Sequence, residues 1–259
     1  MGKGGVNVVA RPINILSLCS GIGGLDIGVS RALESLGFSP RTVCYVEGEA
    51  FAAACLVKQM ETGRLDEAPI WSDVKTFDCE PWRGKVDCVL GGFPCQPFSL
   101  AGKQLAEKDP RHLWPDVLWV LKESGATIAF FENVPGLVRK GLCDVIGDLS
   151  GAGFNAEWGC YSAAEEGFSH KRKRLFILAY ADGQRESQPE RLERKVGGWI
   201  SDRYRKDKRR LEPWTVEPAM VRSVHGIPSR VDRIRALGNA VVPATAKTAF
   251  RELWERAAQ

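Results

Sequence analysis

The stretch Ile13-Asn14-Ile15-Leu16-Ser17-Leu18-Cys19-Ser20-Gly21-Ile22-Gly23-Gly24 is an apolar run that stops in a glycine-rich turn. The run predicts a buried strand over Ile13–Leu18, and the apolar spacing of Leu25–Leu36 predicts a helix after it. Glycines at such a turn let the backbone approach a ligand and expose N–H groups at the helix start. The same reading extends outward. Thr42–Val46, Val86–Leu90, Thr127–Phe131 and Leu175–Ala179 read as further apolar strands. Glu49–Gln59, Asp116–Glu123, Leu142–Leu149 and Val241–Ala258 read as helices. Strands that are nearly all apolar and alternate with helices predict an α/β fold, with a parallel-rich sheet covered on both faces.

The 259 residues carry 36 Lys and Arg against 32 Asp and Glu, a net charge of +4. Asp182–Leu211 holds ten Lys and Arg against six Asp and Glu, so this one segment carries an excess equal to the whole chain's. From Asp182 to about Arg230 the chain turns polar, basic and rich in Gly, Pro and Trp. The expected organisation is a main domain of residues 1–182 plus 231–259, with a small separate region at 183–230. No apolar run approaches the ~18 residues of a membrane span. Met1–Arg11 has no apolar stretch of signal-peptide length, so a cytoplasmic protein is expected. The eight cysteines form no CxxC pair and there are only three histidines, which points to free thiols and no metal site.

Several strand ends carry reactive groups. Glu47 follows the second strand, where a doubly wound fold places a carboxylate on ribose hydroxyls. Asp73, in Trp71-Ser72-Asp73-Val74, ends a further short strand at the same edge. Gly91-Gly92-Phe93-Pro94-Cys95-Gln96-Pro97-Phe98-Ser99 sets a cysteine between prolines on a loop beyond a buried strand. Glu132 follows the fourth strand at the same edge, where a dry pocket would hold it protonated or against a ring nitrogen. His170-Lys171-Arg172-Lys173-Arg174 runs into the fifth strand, and alternation puts Arg172 and Arg174 on one face. Gly238-Asn239 reads as a turn before the last helix. Each feature alone has a plainer reading: a tight turn, a buried thiol, a surface carboxylate, a basic strand edge.

Their order and wording together are specific. The chain resembles the DNA cytosine-5 methyltransferases, which use S-adenosylmethionine, from Asn14 to about Phe250 apart from 183–230. Cys19-Ser20-Gly21-Ile22-Gly23-Gly24 resembles the family's cofactor loop, Glu47 its ribose acid, and Ser72-Asp73-Val74 its adenine-contacting segment. Pro94-Cys95-Gln96 matches the catalytic PCQ, Glu132-Asn133-Val134 the ENV that holds the target base, and Arg172-x-Arg174 the QxRxR motif. Gly238-Asn239-Ala240-Val241 matches the last cofactor motif. Cys19 stands where many members carry a phenylalanine over the adenine, and Gly48 where many carry a bulky residue. Adenine stacking is then weaker or supplied from elsewhere. His170 replaces the motif glutamine and still offers one hydrogen bond.

The resemblance implies a Rossmann-like S-adenosylmethionine-dependent methyltransferase fold with a small target-recognition region, of a compact prokaryotic or phage kind. It implies that a cytosine rotates out of double-stranded DNA, that the Cys95 thiolate adds to C6, and that Glu132 contacts N3 and the exocyclic amine. The activated C5 then takes the methyl group, and loss of the C5 proton expels Cys95. Arg172 and Arg174 position the base or a phosphate and favour the thiolate. Pro94, Gln96, Ser99, Asn133 and Val134 line the substrate side. Cys19 to Gly24, Glu47, Asp73, Val74, Asn239 and Ala240 line the cofactor side. Charge and position assign 183–230 to target recognition, with Arg203, Arg205 and Arg209, beside Lys206, Lys208 and Arg210, on DNA phosphates. No metal is required, and a monomer suffices for one active site. Two rivals remain at this point: an RNA (tRNA) cytosine-5 methyltransferase, and a DNA-binding protein on a degenerate methyltransferase scaffold. A generic Rossmann oxidoreductase leaves PCQ and ENV unexplained.

Overall fold

A computed structural model describes residues 12–94, 113–181 and 230–259. Its central sheet has seven strands in the order β3-β2-β1-β4-β5-β7-β6. They are β1 (Ile13–Leu18), β2 (Pro40–Val46), β3 (Ile70–Trp71), β4 (Cys88–Gly91), β5 (Ile128–Asn133), β6 (Phe154–Ser162) and β7 (Lys173–Ala181). β1 pairs in parallel with both β2 and β4, so the chain winds outward one way from β1 and then the other. That reversal opens a crevice at the carboxyl ends of β1 and β4, the general place for a ligand in such sheets.

The helices are α1 (Gly24–Ser35), α2 (Ala50–Glu61), α3 (Trp114–Ser124), the single turn α4 (Leu137–Lys140), α5 (Leu142–Gly151), α6 (Arg230–Asn239) and α7 (Pro243–Ala257). Strand alternation divides the core between the two faces. Leu16, Leu18, Ala129, Phe131, Leu175 and Ile177 pack with Val117, Leu121, Val145 and Leu149 of α3 and α5. Ile15, Phe130, Phe176 and Leu178 pack with Leu25, Val29, Phe250 and Leu253 of α1 and α7. The contact between α1 and α7 is tight enough to require glycine. A Cβ at Gly24 would meet the Val241 carbonyl oxygen at 2.3 Å, and one at Gly28 would meet Ala246 Cβ and the Pro243 carbonyl oxygen at 2.6 Å.

All the strands and helices expected from the sequence are present within a few residues. The sheet is parallel-rich, as expected: it is parallel from β3 to β5, with β7 antiparallel to β5 and β6 antiparallel to β7. Two features differ. β6 was not expected, because as an edge strand it keeps Asn155 and Trp158 exposed and lacks an unbroken apolar run. Gly238 and Asn239 are not a free turn but the last residues of α6. Among the described residues, no helix is long and apolar enough to cross a membrane. No group of three or more His, Cys, Asp and Glu among them could hold a metal ion.

Candidate active site

β1 delivers its chain into a turn that bends by left-handed backbone at Cys19 (φ 49°), Gly21 (φ 56°) and Gly23 (φ 79°). Cys19 is the single non-glycine residue with positive φ among those described, a conformation that side chains take at some strain. Ser20 closes the turn from inside. Its N–H donates to the Val46 carbonyl (3.1 Å) and its hydroxyl to the Ser17 carbonyl (3.0 Å). Burial pushes the Cys19 thiol up to about 12, helped by the negative charges of Glu47, Asp116 and Asp73. Cys19 is therefore a neutral wall of the site.

Glu47 sits one residue beyond β2, fixed by its N–H donating to the Trp71 carbonyl at 2.8 Å. Its Oε2 accepts the Gly21 N–H (2.7 Å) and its Oε1 the Glu49 N–H (2.8 Å). Burial raises its pKa, while these N–H donors hold it down. A carboxylate has about four lone-pair sites, so beside these N–H donors the acid keeps capacity to accept a hydroxyl from a ligand. Asp73 lies two residues past β3, beyond the strand it was expected to end. Its carboxylate caps the turn Val74–Thr76 by accepting the Lys75 N–H at 2.9 Å.

The other half of the site lies at the ends of β4 and β5. A Cβ at Gly92 would stand 3.6 Å from the Cys19 carbonyl oxygen and 3.8 Å from Glu132 Oε2, so the two halves meet across this glycine. Glu132 is 8% exposed. Burial pushes it up to about 7, against the pull of the Arg174 and Arg172 guanidiniums. Arg174 Nε stands 2.8 Å from Glu132 Oε1 as a charge contact, without the alignment of a hydrogen bond. Asn133 is buried. Its amide donates to the Phe93 carbonyl (3.0 Å), and its oxygen accepts the Val134 N–H (2.9 Å). Arg172 feels the charges of both Arg174 and Glu132, but its Nη2 donates to the Gly238 carbonyl at 2.9 Å.

One cleft of about 760 Å³ joins these groups. Cys19, Gly21, Ile22, Glu47, Asp73 and Val74 line it at one end, and Pro94, Glu132, Asn133, Val134 and Arg174 at the other, with Asn239 of α6. Ser20, Gly23, Gly24, Arg172 and Ala240, expected at the site, do not line it. Ser20 and Gly24 hold the turn and the α1–α7 contact, a Cβ at Gly23 would strike Leu65 at 2.6 Å, and Arg172 turns to Gly238. Ala240 lies between the end of α6 and the Val241 backbone that packs on Gly24. Cys95, Gln96, Ser99, Arg203, Arg205 and Arg209 lie outside the described residues, as do residues 183–229 of the segment expected at 183–230. The sequence reading missed Phe51 of α2, and Asp232, Arg235 and Ala236 of α6, all on the cleft. Phe51 could have been noticed as the one aromatic residue in the first turn after Glu47.

Residues 13–215 match the family model described as C-5 cytosine-specific DNA methylase. The Type II methyltransferase M.NgoMIV of Neisseria gonorrhoeae is 33% identical over 171 residues, covering 63% of this chain and 50% of that one. The Type II methyltransferase M.BanI of Aneurinibacillus aneurinilyticus is 33% identical over 204 residues, covering 76% of this chain and 44% of that one. The chain thus spans half or less of the length of these relatives. In fold it resembles the crystal structure of the S. pombe Dnmt2 methyltransferase, with a TM-score of 0.54 at 21% identity over 75% of this chain and 57% of that one.

Proposed function

The chain belongs to the C-5 cytosine-specific DNA methylase family, and from that membership we propose that it methylates carbon 5 of cytosine in double-stranded DNA. The observation that carries this reading is one cleft joining a nucleoside-type half to a buried carboxyl poised near neutrality.

The nucleoside half fits S-adenosylmethionine. A Cβ at Gly21 would meet nothing within 4 Å, so the turn leaves open space beside its backbone. Glu47 offers acceptors for ribose hydroxyls there, and Ile22, Phe51 and Val74 offer apolar surface for a base. When bound, S-adenosylmethionine supplies an activated methyl group on a sulfonium.

The chain's own residues would do the rest. Glu132, balanced near neutral pH, holds a proton that it can share with cytosine N3, withdrawing electrons from the ring. Arg174 keeps that carboxyl oriented. Cys95, next in sequence after Pro94 of the cleft, adds its sulfur to C6. Asn133 holds the Phe93 backbone, two residues before this cysteine in the sequence. Residues 183–230 form the target-recognition region, with Arg203, Arg205 and Arg209 on phosphates. The chain acts as a monomer.

The test is transfer of labelled methyl from S-adenosylmethionine to mixed-sequence duplex DNA, with tRNA in parallel, for wild type and Cys95→Ala. Labelled 5-methylcytosine in DNA, lost in the variant, is expected. Label confined to tRNA, or equal transfer by Cys95→Ala, would overturn the reading.

A further inference from the structure

α6 forms one wall of the cleft, through Asp232, Arg235, Gly238 and Asn239. Its Val231 is 76% exposed and its Leu237 65%. Polar ties contribute to its placement. One is the ion pair between Arg235 Nη1 and Glu49 Oε2 at 3.0 Å, with both side chains more than half exposed. Exposed pairs of this kind contribute little.

A second tie is a hydrogen bond from a charged donor. The last turn of α6 contains no basic residue of its own, and the last carbonyls of a helix lack intrahelical donors and carry partial negative charge. Arg172 supplies the missing cation, its Nη2 donating to the Gly238 carbonyl at 2.9 Å. Its guanidinium is partly buried and also within the field of Glu132 and Arg174. A planar fork can face an acid on one side and a carbonyl on the other, whereas an ammonium has a single charged point.

We propose that Arg172 is a positioning residue that fixes the C-terminal end of α6 as the cofactor-side wall, joining that wall to the base-side pair Glu132–Arg174. Arg174 alone then faces the cleft from this motif, and the two arginines divide the work. Arg172 governs cofactor affinity through α6, and Arg174 governs the base. The proposal rests on the cofactor reading of the cleft, and its consequence is reciprocal coupling: whatever orders one half of the cleft favours the other.

The experiment measures S-adenosylmethionine binding by titration calorimetry without DNA, then methyl-transfer kinetics, for wild type, Arg172→Met, Arg172→Lys and Glu49→Gln. Circular dichroism verifies folding. Arg172→Met is expected to weaken cofactor binding roughly tenfold. Arg172→Lys keeps the charge beside Glu132 but not the fork. It is expected to raise KM for S-adenosylmethionine with kcat at saturation nearly unchanged. Glu49→Gln, on the exposed tie, is expected to weaken binding in the same direction by less. Folded Arg172 variants with wild-type cofactor affinity would overturn the proposal, as would a loss confined to kcat or to KM for DNA. A wild-type chain that binds no S-adenosylmethionine would overturn the functional reading itself, and the proposal with it.

Discussion

The amide of Asn133 donates to the backbone carbonyl of Phe93 at 3.0 Å, so the end of β5 holds the loop leaving β4 two residues before Cys95. Phe93 is 2% exposed, so its carbonyl has little access to water as a substitute. Asn133→Ala should therefore lower stability by about 1–3 kcal/mol, the usual effect of leaving a buried acceptor unmatched. Methyl transfer should fall much further than cofactor binding, because the nucleoside half is untouched. Thermal unfolding and calorimetry on the same preparation check both parts.

Glu132 should make the stability of the protein depend on pH. Its folded pKa, about 7, lies above its ordinary value of 4.5 because burial disfavours the charge. A carboxyl shifted in this direction contributes its stabilisation fully below the unfolded value, and the contribution is lost as pH rises through the folded one. The loss between about pH 4.5 and 7 should be of order 3 kcal/mol. Glu132→Gln should flatten that part of the melting-temperature profile while reducing turnover by about a hundredfold or more.

Asp26 offers a second carboxyl away from the cleft. It lies fully buried in the first turn of α1 beside Ser17, and neither oxygen makes an aligned hydrogen bond among the described residues. Burial pushes it up to about 6. The same sign applies: protonated Asp26 is tolerated, and stability declines as pH rises through about 6. Asp26→Asn should raise stability at pH 8 by up to about 3 kcal/mol and change little below pH 4. Denaturant unfolding at the two pH values tests this.

Two glycines separate packing from ligand approach. Gly24→Ala puts a methyl 2.3 Å from the Val241 carbonyl oxygen, so it should destabilise the fold strongly. Gly238→Ala meets nothing within 4 Å and sits in a helix, where alanine is favoured by ~1 kcal/mol. The folded Gly238→Ala protein should be no less stable than wild type. Any fall in its cofactor affinity then reports the closeness of the ligand to that position.

The fold was legible where burial on both faces makes a strand uniformly apolar. Ile128–Phe131 and Leu175–Ala179 could hardly be read otherwise. β6 escaped because an edge strand satisfies one face only, so Glu157 and Trp158 interrupt the pattern. α6 escaped because it is polar and its end, Gly238-Asn239, has the composition of a turn. The acids at the strand ends were legible from position: Glu47 and Glu132 both reach the cleft. The direction of Arg172 was not, because its partner Gly238 lies 66 residues away and is a backbone atom, which no side-chain pattern signals. Gly24 was legible as a required glycine, but its reason is the returning chain at Val241 rather than a ligand.

The seating of α7 against α1 has a consequence for the order of folding. Val29 and Leu25 of α1 share their apolar surface with Phe250 and Leu253 of α7. During synthesis, α1 can pack on β1 and β4 through Ile15 and Leu90, but the part of its face that meets α7 waits until more than two hundred further residues have emerged. Contacts of such sequence separation form late, after a large loop has closed. Until α7 is made, part of the apolar stripe of α1 therefore stays exposed on the nascent chain. Its yield in a cell should depend on chaperone supply more than the stability of the finished molecule would suggest.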